Sequence, residues 1–173
     1  MYALDAATGH PRWAYTTGGQ VDSSPAAAGG TVYVGSNDDK VYALDAATGH
    51  PRWAYTTGGA VDSSPAAAGG TVYVGSTDDK VYALDAATGM LNWAYTTGGV
   101  IGFFQVRTAP AVAGGTVYIG SEDGNVYALS AATGHARWAY TTGSQVDSSP
   151  AVVDGTVYIG SDNGNVYALA AGP

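Results

Sequence analysis

A chain of 173 residues with 26 glycines, 13 tyrosines and only 12% charged residues has the profile of a turn-rich all-β protein, unlike a helical or disordered one. With no cysteine there is no disulfide framework, zinc ribbon or thiol nucleophile. A formal charge of −8, six Lys and Arg against fourteen Asp and Glu, argues against a nucleic-acid partner, because phosphates are neutralised by clustered basic side chains.

The chain opens on "YALDAATGHPRWAY", Tyr2 to Tyr15, which returns letter for letter from Tyr42 and in edited form from Tyr82 and Tyr127. The triplet "YAL" at Tyr2, Tyr42, Tyr82, Tyr127 and Tyr167 sets spacings of 40, 40, 45 and 40 residues, the period of a repeat architecture. Residues 1–40 and 41–80 differ at three positions (Met1/Val41, Gln20/Ala60 and Asn37/Thr77), which points to recent duplication or to design. One period predicts four short strands: "VDSSPAAA" from Val21 to Ala28, "TVYVGS" from Thr31 to Ser36, "KVYALD" from Lys40 to Asp45, and "RWAYTT" from Arg52 to Thr57. Glycine-rich or Asp-rich turns separate them. In later periods the second turn becomes "EDGN" and "DNGN", pairs suited to positive φ in a tight hairpin. "DAATG" is too short for a helix and ends in glycine. No apolar run approaches the ~18 residues of a membrane span, and no leader resembles a signal peptide.

Before the third inner strand, "GGVIGFFQVRTAP" replaces "GGAVDSSP", a five-residue insertion carrying Phe103 and Phe104, the only phenylalanines. The pair reads either as a local hydrophobic plug or, with Arg107, as a contact for a partner. The chain ends on "VDSSPAVVDGTVYIGSDNGNVYAL", strands one to three of a period whose fourth strand stands at the N-terminus.

Four-stranded units of about 40 residues mark a β-propeller, with sheets arranged radially about a channel. The string "ALDAATGHPRW" resembles the tryptophan-docking motif of the PQQ-type (quinoprotein-like) propeller repeat, of the form A-x-D-x-x-T-G-x-x-x-W, and the resemblance runs along essentially the whole chain. The motif falls on Ala3, Asp5, Thr8, Gly9 and Trp13, then on Ala43, Asp45, Thr48, Gly49 and Trp53. It recurs on Ala83, Asp85, Thr88, Gly89 and Trp93, and on Ala128, Thr133, Gly134 and Trp138 with Ser130 in place of the aspartate. The resemblance implies that Trp13, Trp53, Trp93 and Trp138 pack across blade boundaries while Asp and Thr brace the turn. A large aromatic at fixed period among small residues suits that role.

The family contains quinoprotein dehydrogenases and non-catalytic propellers. The resemblance to the enzymes implies adjacent cysteines, a tryptophan floor and an Asp base beside calcium ligands. None of these maps here: cysteine is absent, the four tryptophans belong to the docking motif, and Glu122 is the only glutamate. PQQ is therefore not expected. His10, His50 and His135 fall in the turns between strands three and four, opposite the "VDSSP" segments, which argues against a hydrolase triad, and each at the periphery of a separate blade, which argues against a metal ring.

The loops entering strand one and the turns between strands two and three share one face. Ten of the fourteen acids fall there, against Lys40, Lys80 and Arg107, so the face carries about −7. Asp38, Asp39, Asp78, Asp79, Glu122, Asp123 and Asp162 read first as ordinary turn residues. Asp22, Asp62 and Asp147 occupy equivalent positions at the channel mouth, with Arg107 in the fourth, and form a candidate calcium or polar-ligand site. The expectation is one all-β domain over residues 1–173 with four blades, closing alone or, preferred, as an eight-bladed homodimer. Its expected role is a non-catalytic scaffold, binding or sensor module, as a fragment or designed repeat, whose partner is itself or another protein.

Overall fold

A computed structural model describes residues 1–98 and 105–172. Among the described residues seventeen strands account for the regular structure and no helix occurs. β1 (Tyr2–Leu4) and β2 (Pro11–Ala14) form a two-stranded sheet. Three four-stranded antiparallel sheets follow. The first holds β3 (Ala26–Ala28), β4 (Thr31–Ser36), β5 (Lys40–Asp45) and β6 (Pro51–Thr56). The second holds β7 (Ala66–Ala68), β8 (Thr71–Gly75), β9 (Lys80–Asp85) and β10 (Leu91–Thr96). The third holds β11 (Ala111–Ala113), β12 (Thr116–Gly120), β13 (Asn125–Ser130) and β14 (Ala136–Thr141). The last sheet has three strands, β15 (Ala151–Val153), β16 (Thr156–Gly160) and β17 (Val166–Ala170).

The expected first strand is shorter than the sequence reading, because Val21 to Pro25 lie outside β3. Proline lacks a ladder donor, and Ser23 replaces the ladder with its side chain: its hydroxyl accepts the Gly35 N–H at 3.1 Å. Thr108 and Ser148 do the same for Gly120 (3.1 Å) and Gly160 (2.7 Å). The fourth strand starts one residue early at Pro51, across a bulge that pairs Leu44 with Pro51 and Ala43 with Trp53.

The core lies between consecutive sheets. Tyr33, Val41 and Ala43 of one sheet meet Val72, Val74, Tyr82 and Leu84 of the next, and Tyr73, Val81 and Ala83 repeat the arrangement against Val117, Ile119, Tyr127 and Leu129. Alternation along each strand sends one set of side chains forward and the other back. Glycine near the end of three second strands admits the neighbour's backbone: a Cβ on Gly35 would collide with Val61, one on Gly75 with Val106 and one on Gly120 with Val146. Ser36 O and Ser76 O accept the N–H of Val61 (3.1 Å) and Val106 (3.2 Å) across those contacts.

The two terminal sheets remain separate. β2 pairs with β1 and β17 with β16, so the expected completion of the last blade by the N-terminal fourth strand does not occur within the chain. The reason is competition between like strands. The N-terminal "YAL" already holds the edge of β2 that the C-terminal "YAL" would need.

Candidate functional site

Each docking motif is a turn followed by an indole that reaches the next repeat. In the second copy, Asp45 Oδ1 accepts the N–H groups of Ala47 (3.0 Å) and Thr48 (2.9 Å) and the Thr48 hydroxyl (2.9 Å). Its Oδ2 accepts Arg52 Nη2 at 2.7 Å. Arg52 first, then the Thr48 bonds, hold the Asp45 carboxyl far below the ordinary carboxylate range. Asp5 is lowered in the same way by Arg12 and Thr8. Asp85, whose repeat carries Asn92 instead of arginine, is lowered chiefly by Thr88. Where Ser130 replaces the aspartate, the turn keeps its backbone bonds from Gly134 N–H to Ser130 O (2.8 Å) and from Ser130 N–H to His135 O (2.8 Å).

Trp13, Trp53 and Trp93 donate Nε1–H to Ala46 O, Ala86 O and Ala131 O, each at 3.0 Å, and Trp138 donates to Ala171 O at 3.4 Å. The first three rings lie on Gly49, Gly89 and Gly134. A Cβ on Gly49 would stand 2.7 Å from Trp13 Cδ2, and φ there is +74°, so side chain and backbone both demand glycine. The four indoles bond four different carbonyls and stand at four separate boundaries.

Sequence reasoning gave no role to the tyrosines of the second strands. Tyr33, Tyr73 and Tyr118 donate to the same carbonyls, Ala86 O (3.1 Å), Ala131 O (3.3 Å) and Ala171 O (2.8 Å), with ring centroids 5.8 to 5.9 Å from the adjacent indole. The signal was present: the invariant Tyr of "TVYVG" and "TVYIG" faces away from its flanking valines.

On the opposite rim, the loops entering the inner strands do meet the turns between second and third strands. Asn37 N–H donates to Gln20 O (2.9 Å), and Thr77 N–H to Ala60 O (2.9 Å). Three of the turn acids are engaged through one oxygen by a tyrosine. Asp38, Asp78 and Asp123 each accept a tyrosine hydroxyl, from Tyr42, Tyr82 and Tyr127, at 2.5 Å. Burial is the largest influence on Asp38 and pushes it up, but Tyr42, Ser36, Gly18 and the Lys40 charge hold it below its ordinary value. Burial and the neighbouring Asp push the Tyr42 and Tyr127 hydroxyls up to about 12.

The structure does not bring Asp22, Asp62 and Asp147 to one point. Asp22 accepts Asn37 Nδ2 at 3.0 Å. Arg107 Nε lies 3.4 Å from Asp62 Oδ2 and 3.6 Å from Glu122 Oε1. Burial, then the charge of Asp162, raise the Asp147 carboxyl against the pull of Arg107. Among the described residues no three acids or histidines converge as metal ligands. Phe103 and Phe104 lie outside the described residues.

A family model described as "Outer membrane protein assembly factor BamB" matches residues 1–172. Among solved structures, BamB from Moraxella catarrhalis is 26% identical with a TM-score of 0.80, over 94% of this chain and 50% of that one. The computationally designed Ika8 protein is 19% identical with a TM-score of 0.83, over 98% of this chain and 52% of that one. Quinohemoprotein alcohol dehydrogenase from Comamonas testosteroni is 25% identical with a TM-score of 0.75, over 83% of this chain and 29% of that one. The chain thus spans about half the length of the BamB structure it matches. No curated protein sequence matches it.

Proposed function

The chain belongs to the PQQ-type repeat family described as outer membrane protein assembly factor BamB, and from that premise we propose that it is a non-catalytic β-propeller scaffold that binds protein. The observation that carries this reading is the joint. Every tryptophan of the chain donates its N–H to the backbone of the following repeat, so the motif aromatics are committed to holding blades together. The matching family model is described as an assembly factor, and by that likeness this chain offers a surface to protein partners.

The residues present do not fit the quinone of the family's dehydrogenases. No indole is left to floor a planar cofactor, since each already lies against the next repeat, and no cysteine is available beside one. The test is titration with PQQ and calcium, followed by tryptophan fluorescence and alcohol-dependent dye reduction. Neither saturable quenching nor turnover is expected. Stoichiometric binding with dye reduction would overturn the scaffold reading.

A second reading is favoured by one detail on the acidic rim, where Asp62 Oδ1, like an oxygen of Asp38, Asp78 and Asp79, is buried without a hydrogen-bond partner among the described residues. Such an atom suits a cation or a small polar donor. Calorimetric titration with calcium chloride checks it. No heat and no rise in melting temperature would remove it.

A further inference from the structure

The repeat supplies its own control for what should be buried. Val41, Val81 and Val126 are 0% exposed, yet their equivalent Val166 is 79% exposed. Tyr33, Tyr73 and Tyr118 are at most 3% exposed, and their equivalent Tyr158 is 43%. At the other end, Tyr2 and Leu4 are 73% and 57% exposed where Tyr42 and Leu44 are 7% and 0%. The forward face of the last sheet and the N-terminal sheet are therefore halves of the interface that the interior repeats make with one another.

We propose that a second copy of this chain completes that interface by strand exchange, with β1 acting as a removable placeholder for the partner's β17. The inference rests on the scaffold reading and specifies its partner. β17 has one pairing partner, β16, whereas its counterparts β5, β9 and β13 each have two. Among the described residues no strand pairs with its outer edge of N–H and C=O groups, which can accept one. A cavity of about 380 Å³ between β14 and β17, lined by Trp138, Tyr140 and Leu169, is the space an outer strand would enter.

β2 is the matching strand. It is anchored from behind by Trp13 on Ala46, and its present neighbour β1 makes three pairs, Tyr2 with Ala14, Ala3 with Trp13 and Leu4 with Pro11. The incoming strand has the same letters in the same order, Tyr167, Ala168 and Leu169, so exchange preserves the register of β5 on β6, where Tyr42 faces Ala54 and Ala43 faces Trp53. β17 cannot be the strand that yields. It makes five pairs with β16, and the next residue, Ala171, receives both Trp138 and Tyr118. Exchange brings Tyr158 beside Trp13, which among the described residues lacks the tyrosine that accompanies the other three indoles. It also sets Val166 over Val21, Val34 and Tyr42, as Val41 sits with Val61, Val74 and Tyr82 inside the chain.

A second copy, and not the chain's own other end, is the occupant because the described arc superposes on half of chains twice its length, with TM-scores of 0.80 and 0.83. At that curvature the ends of one chain face away from each other across a half ring. Two half rings related by a twofold axis meet at both junctions at once, which leaves neither sheet edge open.

The chain has no cysteine, so single thiols report the pairing cleanly. Under mild oxidation, a mixture of the Ala14→Cys and Tyr167→Cys chains is expected to give a disulfide between copies, and sedimentation equilibrium of the unmodified chain twice the 17.3 kDa protomer mass. Val166→Lys, at a position exposed in the single copy, is expected to return the mass to one protomer with an unchanged urea melt of the interior sheets. A disulfide within one molecule of the Ala14→Cys/Tyr167→Cys double variant at protomer mass would overturn the proposal in favour of self-closure. Protomer mass without crosslinking would overturn it outright. Doubled mass without this crosslink would refute the strand exchange. None of these outcomes bears on quinone binding, so the scaffold reading and the exchange fail separately.

Discussion

The interior sheets and the terminal sheets are built from the same letters and end in different environments. Val126 and Val166 both follow an Asn in an identical "NVYAL" strand, yet one is sealed between sheets and the other faces solvent. The difference lies wholly in the neighbour. A propeller repeat cannot bury its own faces; it is stable where a second repeat stands before it and a third behind it. Local sequence specifies the strand, and stacking supplies most of its stabilisation.

The largest expected break in this comparison comes from two glycines with the same backbone. Gly9 and Gly89 both have φ of +73°, but a Cβ meets nothing within 4 Å at Gly9 and lies 2.7 Å from Trp53 Cδ2 at Gly89. Gly89→Ala combines left-handed strain with overpacking and should cost about 3 kcal/mol, against about 1 kcal/mol for Gly9→Ala, read as urea midpoints. Equal costs would show that the indole does not press on the following turn. Next comes the valine pair: Val126→Ala should cost about 2 kcal/mol and Val166→Ala less than about 0.5 kcal/mol in the single copy, since only the first is covered.

Alkaline titration separates the interior by chemistry. The Tyr42 and Tyr127 hydroxyls have raised folded values of about 12 against 10.0 when free. The stability they contribute is complete below pH 10 and is lost as pH rises through about 12. Ultraviolet phenolate titration should show these groups, with Tyr82 pushed up further still by burial and Asp78, ionising last, together with unfolding; Asp123→Asn should bring the Tyr127 transition to lower pH. Acid works the other way on the turns. Asp5 and Asp85 are depressed below 3.8, so their contribution is present above that value and lost as pH falls through their folded values, visible as a falling melting temperature. The smallest effect is a gain. Asp39 and Asp79 stand at φ of 65° and 66° where the later repeats carry Gly124 and Gly164. Asp39→Gly should stabilise by about 0.5 kcal/mol.

Period, strand order and the placement of the indoles were legible because each depends on residues within one repeat. Thr31–Ser36 and Lys40–Asp45 carry alternation and flanking turns, and they form as strands over those bounds. Val21 to Pro25 misled because alternation continues through a segment whose hydrogen bonds go to side chains, as the Ser23 hydroxyl shows. Asp22, Asp62 and Asp147 were matched by repeat position, but their partners are set by unequal neighbours. Asn37 bonds Asp22, while Arg107 stands between Asp62 and Glu122. Failure to close was the least legible feature, since two copies of "YAL" compete for one strand edge and local pattern does not rank them.

A carbonyl oxygen has two lone pairs, and at Ala86, Ala131 and Ala171 both are occupied by an indole and a phenol. Double acceptance draws electron density out of the C=O bond and lowers its stretching frequency, whereas Ala46 accepts one such donor among the described residues. Carbon-13 labelling of alanine carbonyls should therefore resolve a red-shifted infrared band from the three saturated positions. The odd carbonyl becomes an optical gauge of the joint, and its band should move to join the others when a phenol reaches it.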